Sequence, residues 1–124
     1  MNPQEVFDKV VNHLRTQQQK AETRTSNGGV QCQYRTPFGL TCAAGCMFED
    51  GEYHYKMEGE TIDRILEQKA KVIVPSSLIN RLYEHRSLLR TLQQVHDHHS
   101  MDKWEAKFQA VARSYDLTYA PPID

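Results

Sequence analysis

Three cysteines and six histidines are the side chains of this 124-residue sequence best suited to chemistry, and their spacing decides which chemistry is open to them. Cys32, Cys42 and Cys46, with His54 as a fourth ligand, could surround zinc, because thiolates and an imidazole suit its tetrahedral preference. The gaps of nine and three residues are not the Cys-x-x-Cys pairs of a zinc knuckle, so a structural zinc module stands only as an alternative. The favoured reading makes the thiols small hydrophobes packed under a hairpin. A thiol-dependent site is a further alternative: Cys42 or Cys46 at a helix start would ionise more readily, with His54 or His96 as base, although no third orienting residue follows from the spacing.

His96-Asp97-x-His99, with His85 and Asp102 nearby, has the residue types of a His-Asp metal phosphohydrolase. The favoured reading is again local. Histidines suit the negative end of a helix, and Asp97 can hold the turn into the next one. Tyr34 and Arg35 place an aromatic face beside a guanidinium, as a nucleotide base and phosphate would require. Gly28-Gly29 lacks the Lys-Ser/Thr of a phosphate loop. The candidate ligand- or partner-binding residues are therefore Tyr34, Arg35, Cys42, Cys46, His96 and Asp97, and none is assigned a catalytic role.

The elements that must position these groups follow from periodicity. Asn2, Pro3 and Glu5 form a capping box, and Val6, Val10 and Leu14 with Phe7 and Val11 give one apolar face, predicting a helix over 3–21. Residues 22–29 hold no apolar side chain and end in a glycine pair, the composition of a mobile connection. From Val30 to Thr41 alternation replaces helical spacing, and Thr36-Pro37-Phe38-Gly39 supplies turn chemistry; a hairpin there puts Cys32 roughly across from Ala43. The Ala and Gly content of 42–46 implies close approach to the backbone. Thr61–Lys69 reads as a short helix, and Lys71–Val74 as a third short strand or a buried linker.

Ser76 or Ser77 can then cap a helix to about His98, broken near Ser87, and Ser100 can cap a last helix carrying the stripe Met101, Trp104, Phe108, Val111, Tyr115. Trp104 is expected to face Leu88, Leu92 and Val95 across the resulting antiparallel helical hairpin. The predicted fold is one α+β domain over 1–117, with N-terminal helix, small β-hairpin and C-terminal helical hairpin, followed by a tail over 118–124.

A formal charge of -1 gives no nucleic-acid signal, and no apolar run approaches the roughly 18 residues of a membrane span, so a cytoplasmic protein without membrane contact is expected. Charge is nevertheless segregated. Glu49, Asp50, Glu52, Glu58 and Glu60 face the single cation Lys56 over 49–60, whereas Arg64, Lys69, Lys71, Arg81, Arg86 and Arg90 outnumber the acids over 61–91, which predicts a dipolar surface. Three cysteines, an odd number, point to reduced thiols.

Cys32-x-Tyr34-Arg35-x-x-x-Gly39-x-x-Cys42-Ala43-x-Gly45-Cys46, Met57-Glu58-Gly59 and Leu92-Gln93-x-x-His96-Asp97 followed by Trp104 resemble a set of small uncharacterised proteins of tailed bacteriophages and some bacteria. The likeness covers most of residues 5–117 and departs after Cys46, where Met47-Phe48-Glu49-Asp50 replaces the usual Leu-Ile-Pro-Asp run. It implies a context and no activity. The expectation is a small non-enzymatic binding protein, phage-encoded, that modulates a host protein or defence component, with a nucleotide-type ligand near the cysteines as the alternative.

Overall fold

Local hydrogen bonds start the first helix. Asn2 Oδ1 accepts from the Glu5 N–H at 2.9 Å and the Glu5 carboxylate accepts from the Asn2 N–H at 2.9 Å, so α1 (Pro3–Gln17) begins at the expected box. It ends four residues short of the expected 21. Gln18 turns left-handed (φ 53°), its N–H reaching Leu14 O at 3.0 Å. The Gln17 side chain then donates to Thr41 O (2.9 Å) and accepts from the Thr41 N–H (3.0 Å), tying the helix end to the segment that carries the cysteines.

The structure, a computed structural model, describes residues 1–67 and 74–123. Its one sheet corrects the expected hairpin. β1 (Glu22–Arg24) and β2 (Val30–Cys32) run antiparallel, with Glu22 opposite Cys32 and Arg24 opposite Val30. The turn between them is residues 25–29, read from sequence as a mobile connection. Thr25 N–H bonds Gly29 O at 2.9 Å, Asn27 Oδ1 accepts from the Gly29 N–H at 3.2 Å, and Gly28 supplies the positive φ of 86°. Alternation without a strong apolar face could not reveal this register.

The Thr36–Gly39 turn does form, with the Thr36 N–H on Leu40 O (2.8 Å), but only one bridge, Arg35 to Thr41, flanks it. The chain cannot run on as a strand. A Cβ at Gly45 would lie 2.0 Å from the Tyr34 carbonyl oxygen, so glycine is required where the two segments touch, and Gly45–Met47 coils into a 3-10 turn.

α2 (Ile62–Glu67) buries Ile62 and Ile65; the expected helix end and most of the expected strand at 71–74 lie outside the described residues. α3 (Ser76–Glu84) and α4 (Arg86–His98) break at His85 (φ -114°, ψ 21°), two residues before Ser87. Neither Ser76 nor Ser77 caps α3, because Pro75 stands at the cap and the Ser77 hydroxyl is spent on Glu52 at 2.7 Å. α5 (Trp104–Ser114) enters through a 3-10 turn at Met101–Lys103, so Ser100 makes no cap bond and Met101 stays exposed.

The fold is α+β, as expected. Phe7, Val10 and Leu14 of α1, Leu89 and Leu92 of α4, and Trp104 and Phe108 of α5 share one core. The expected tail is instead anchored in part. Gln4 donates to Thr118 O (3.0 Å) and accepts from the Thr118 N–H (2.8 Å), Arg15 donates to Ala120 O (2.8 Å), and Tyr119 Oη donates to Glu105 at 2.7 Å. Polar bonds at single positions leave no periodicity to read. No helix among the described residues is long and apolar enough to cross a membrane.

Candidate functional site

A cleft of about 450 Å³ opens between β2, residues 59–63 and α4. β2 and its continuation bring Gln31, Cys32, Gln33 and Tyr34, with Cys42 beside them. α4 brings Arg90, Gln93, Gln94, Asp97 and His98, which recur at helical spacing on the flank of its apolar stripe. Leu88, Leu92 and Val95 face the core, so this second, polar stripe is turned toward the sheet.

Asp97 is the centre of the wall. Its Oδ1 accepts from Gln93 Nε2 (2.8 Å) and lies 2.7 Å from His96 Nδ1, while the other end of the Gln93 amide accepts the Ala44 N–H at 2.9 Å. His96 is fully buried, and its Nε2 lies 3.0 Å from the Ala21 nitrogen. A backbone N–H can only donate, so Nε2 carries the lone pair and Nδ1 the proton, which it donates to Asp97. The ring is thus a neutral link from the start of β1 to the cleft. Burial works against the charge on Asp97, but His96 above all, with Gln93, holds its carboxyl below the usual range, and it is ionised at neutral pH. It holds no turn into the next helix; its partners lie on α4 and β2.

Among the described residues, Cys32, His96 and Asp97 are the one set whose ligand atoms come together, within 4.8 Å. Their polarity does not suit a metal. A ligating histidine donates its second N–H outward, whereas the second nitrogen of His96 accepts from Ala21, so metal at Nδ1 would require an imidazolate or the loss of that bond. Burial first, and Asp97 next, push the Cys32 thiol up to about 12, so it stands protonated beside Asp97.

The expected zinc set is not assembled. Cys42 Sγ accepts from the Gly45 N–H (3.3 Å), Cys46 donates to Ala43 O (3.1 Å), and His54 Nδ1 accepts from the Lys56 N–H (3.1 Å) with its ring on Tyr55. Each is engaged in its own turn. Burial raises the Cys42 thiol and pushes Cys46 up to about 12, so neither has the character of a nucleophile, and His85, His99 and Asp102 do not join His96 in a ligand set.

Tyr34 and Arg35 also part company. The Tyr34 ring lies against Phe48 (5.4 Å between centroids) with its hydroxyl on Glu60 O, while the Arg35 guanidinium sits 5.1 Å over the Tyr53 ring. Glu58 fixes both backbones, accepting from the Tyr34 N–H (2.8 Å), the Arg35 N–H (3.1 Å) and Tyr53 Oη (2.7 Å). Of the residues singled out from sequence, Tyr34, Cys32, Cys42 and Asp97 reach the cleft and His96 backs it; Arg35, Cys46 and His54 are not among its lining residues. Sequence reasoning missed Gln31, Gln33, Arg90, Gln93 and Gln94. The i, i+3, i+4, i+7 recurrence of Arg90, Gln93, Gln94 and Asp97 was the available signal.

No protein-family model, no curated protein and no solved structure matches this chain. Its function is argued from the chemistry of the cleft.

Proposed function

We propose that this protein is a non-enzymatic binding protein, phage-encoded, that seats part of a host protein in the cleft between β2 and α4 and thereby modulates that protein or a host defence component. The observation that carries the reading is the state of the cleft's reactive groups. Its thiols are held protonated by burial, the histidine behind its wall, His96, is bonded through both ring nitrogens, and Asp97 accepts from His96 and Gln93 on one oxygen, with no activated nucleophile beside it. Facing a partner beside the charged residues is a row of side-chain amides, Gln31, Gln33 and Gln94, suited to recognition and not to bond-making. The motif resemblance makes a bacterial host protein the class of partner. A nucleotide ligand fits less well, since Glu60, Asp63 and Asp97 line the cleft against Arg90 alone, and Arg90 is bonded to Asp63 at 3.0 Å.

Gln94 is exposed on α4, so Gln94→Arg should narrow the cleft without disturbing the core. Tagged wild-type chain should enrich a defined host protein from bacterial lysate that the Gln94→Arg bait, equally folded by circular dichroism, loses. Equal recovery by both baits, or no partner specific to the wild type, overturns the proposal.

A further inference from the structure

We infer that the outer edge of β2 is a docking edge, and that the segment it takes is an extended, basic stretch of a partner protein, added as a third strand inside the cleft. The inference rests on the binding reading above and names the shape and charge of what binds.

The register fixes which backbone groups are free. The Thr25–Gly29 bond and the Gln33 N–H on Ala21 O (2.8 Å) mark the odd-numbered positions of β2 as those facing β1. Val30, Cys32 and Tyr34 therefore direct N–H and C=O away from β1. At Tyr34 these outward groups are used: the N–H goes to Glu58 (2.8 Å) and the carbonyl accepts the Cys42 N–H (3.3 Å). One residue pair further along, the facing chain has left the edge for the turn at Gly45–Met47. Among the described residues nothing bonds the backbone of Val30 or Cys32, and Val30 is 64% exposed. Two residues thus offer two donors and two acceptors in strand geometry, Cys32 on the cleft wall with Cys42 and α4, and Val30 beyond the lining residues in solvent. A sheet of two three-residue strands gains from such an addition.

Charge selects the occupant. Of the three acids along the cleft, Glu60 pairs with Arg64 (3.4 Å) and Asp63 with Arg90 (3.0 Å), whereas Asp97 meets only an imidazole N–H and an amide, both on Oδ1, so its charge is the one left for an occupant. Alternate side chains of a docked strand share one face, so lysine or arginine at every second position would meet this wall.

The probe is the acetylated, amidated peptide Lys-Val-Lys-Val-Lys-Thr, titrated into the full chain and followed by backbone amide NMR. Val30 and Cys32 resonances should shift most, the Glu-for-Lys peptide should bind at least about tenfold more weakly, and Val30→Pro, which removes one outward N–H and no bond to β1, should cost a similar factor. If Val30→Pro does not fold, the peptide N-methylated at alternate residues tests the same bonds on the wild type. Absence of shifts at millimolar peptide, shifts centred elsewhere, or indifference to both backbone blocks overturns the inference. So does a concentration-dependent shift of the same resonances without peptide, which would make a second copy the occupant. A host partner captured in the Gln94-sensitive manner but equally by Val30→Pro would leave the binding function standing and this edge refuted; peptide docking without any host partner would do the reverse.

Discussion

Two carboxylates in this protein are withdrawn from water in opposite ways. Glu52 is 6% exposed and meets a full counter-charge: Arg81 donates to both of its oxygens (2.6 and 3.2 Å), Ser77 adds a bond at 2.7 Å, and the Glu49 N–H another at 2.7 Å. Asp97 meets no guanidinium or ammonium among the described residues: its bonds come from an imidazole N–H and an amide. Both are satisfied, yet one pair cancels its field and the other leaves its field facing a cleft. The first is a rivet between the 47–52 loop and α3; the second lines the cleft between β2 and α4.

The comparison breaks most severely through the core behind the cleft. Trp104 is 4% exposed, its ring stacks 5.9 Å from His96, and its Nε1 donates to His99 O at 3.1 Å. Trp104→Ala should destabilise by roughly 3–5 kcal/mol, lowering the thermal midpoint and releasing the His96 link, whereas an unchanged melt would refute a core role.

Arg81→Met comes next. It leaves Glu52 buried without its cation and should cost about 3 kcal/mol by urea unfolding, part of which Glu52→Gln in the same chain restores. The acid limb distinguishes the two carboxylates. Burial opposes the Glu52 charge, but Arg81, Glu49 and Ser77 hold its carboxyl at about 2, below the ordinary 4.5. Its stabilisation is present above 4.5 and is lost as pH falls toward 2, so wild type should weaken over that window and Arg81→Met much less.

The smallest effect on stability belongs to Asp97→Asn, about 1 kcal/mol, because the amide oxygen still accepts from His96 and Gln93. Its sharper mark is on Cys32. Removing the neighbouring charge should move the thiol's alkylation profile to lower pH, while Arg81→Met leaves it in place.

How legible these regions were follows from the same contrast. The capping box, the apolar face of α1 and the helical stripe around Trp104 repeat at fixed spacing, and the α+β order of elements follows from them. Glu52 and Arg81, assigned from sequence to opposite poles of a dipolar surface, instead point inward at each other, a tertiary pairing across 29 residues that no local pattern announces. The sheet was misplaced because three-residue strands carry too little alternation to outweigh the turn chemistry of Thr36–Gly39. The cleft was legible in halves: Asp97 and Cys32 stood out by residue type, while the glutamines around them, chemically plain, gained meaning only when α4 was laid beside β2.

The bonds between α1 and the segment around Thr118 bear on how the chain is made. Gln4 and Thr118 are separated by 114 residues, and Arg15 and Glu105 by 90. Synthesis proceeds at about 5–20 residues per second, so the first helix leaves the ribosome roughly 5–20 seconds before these partners exist. During that interval its apolar face also lacks α4 and α5, and it must either wait as an isolated, marginal helix or be shielded by a chaperone. The clasp between α1 and residues 118–120 closes only after translation has passed Ala120, so the first helix to be made is among the last to be secured.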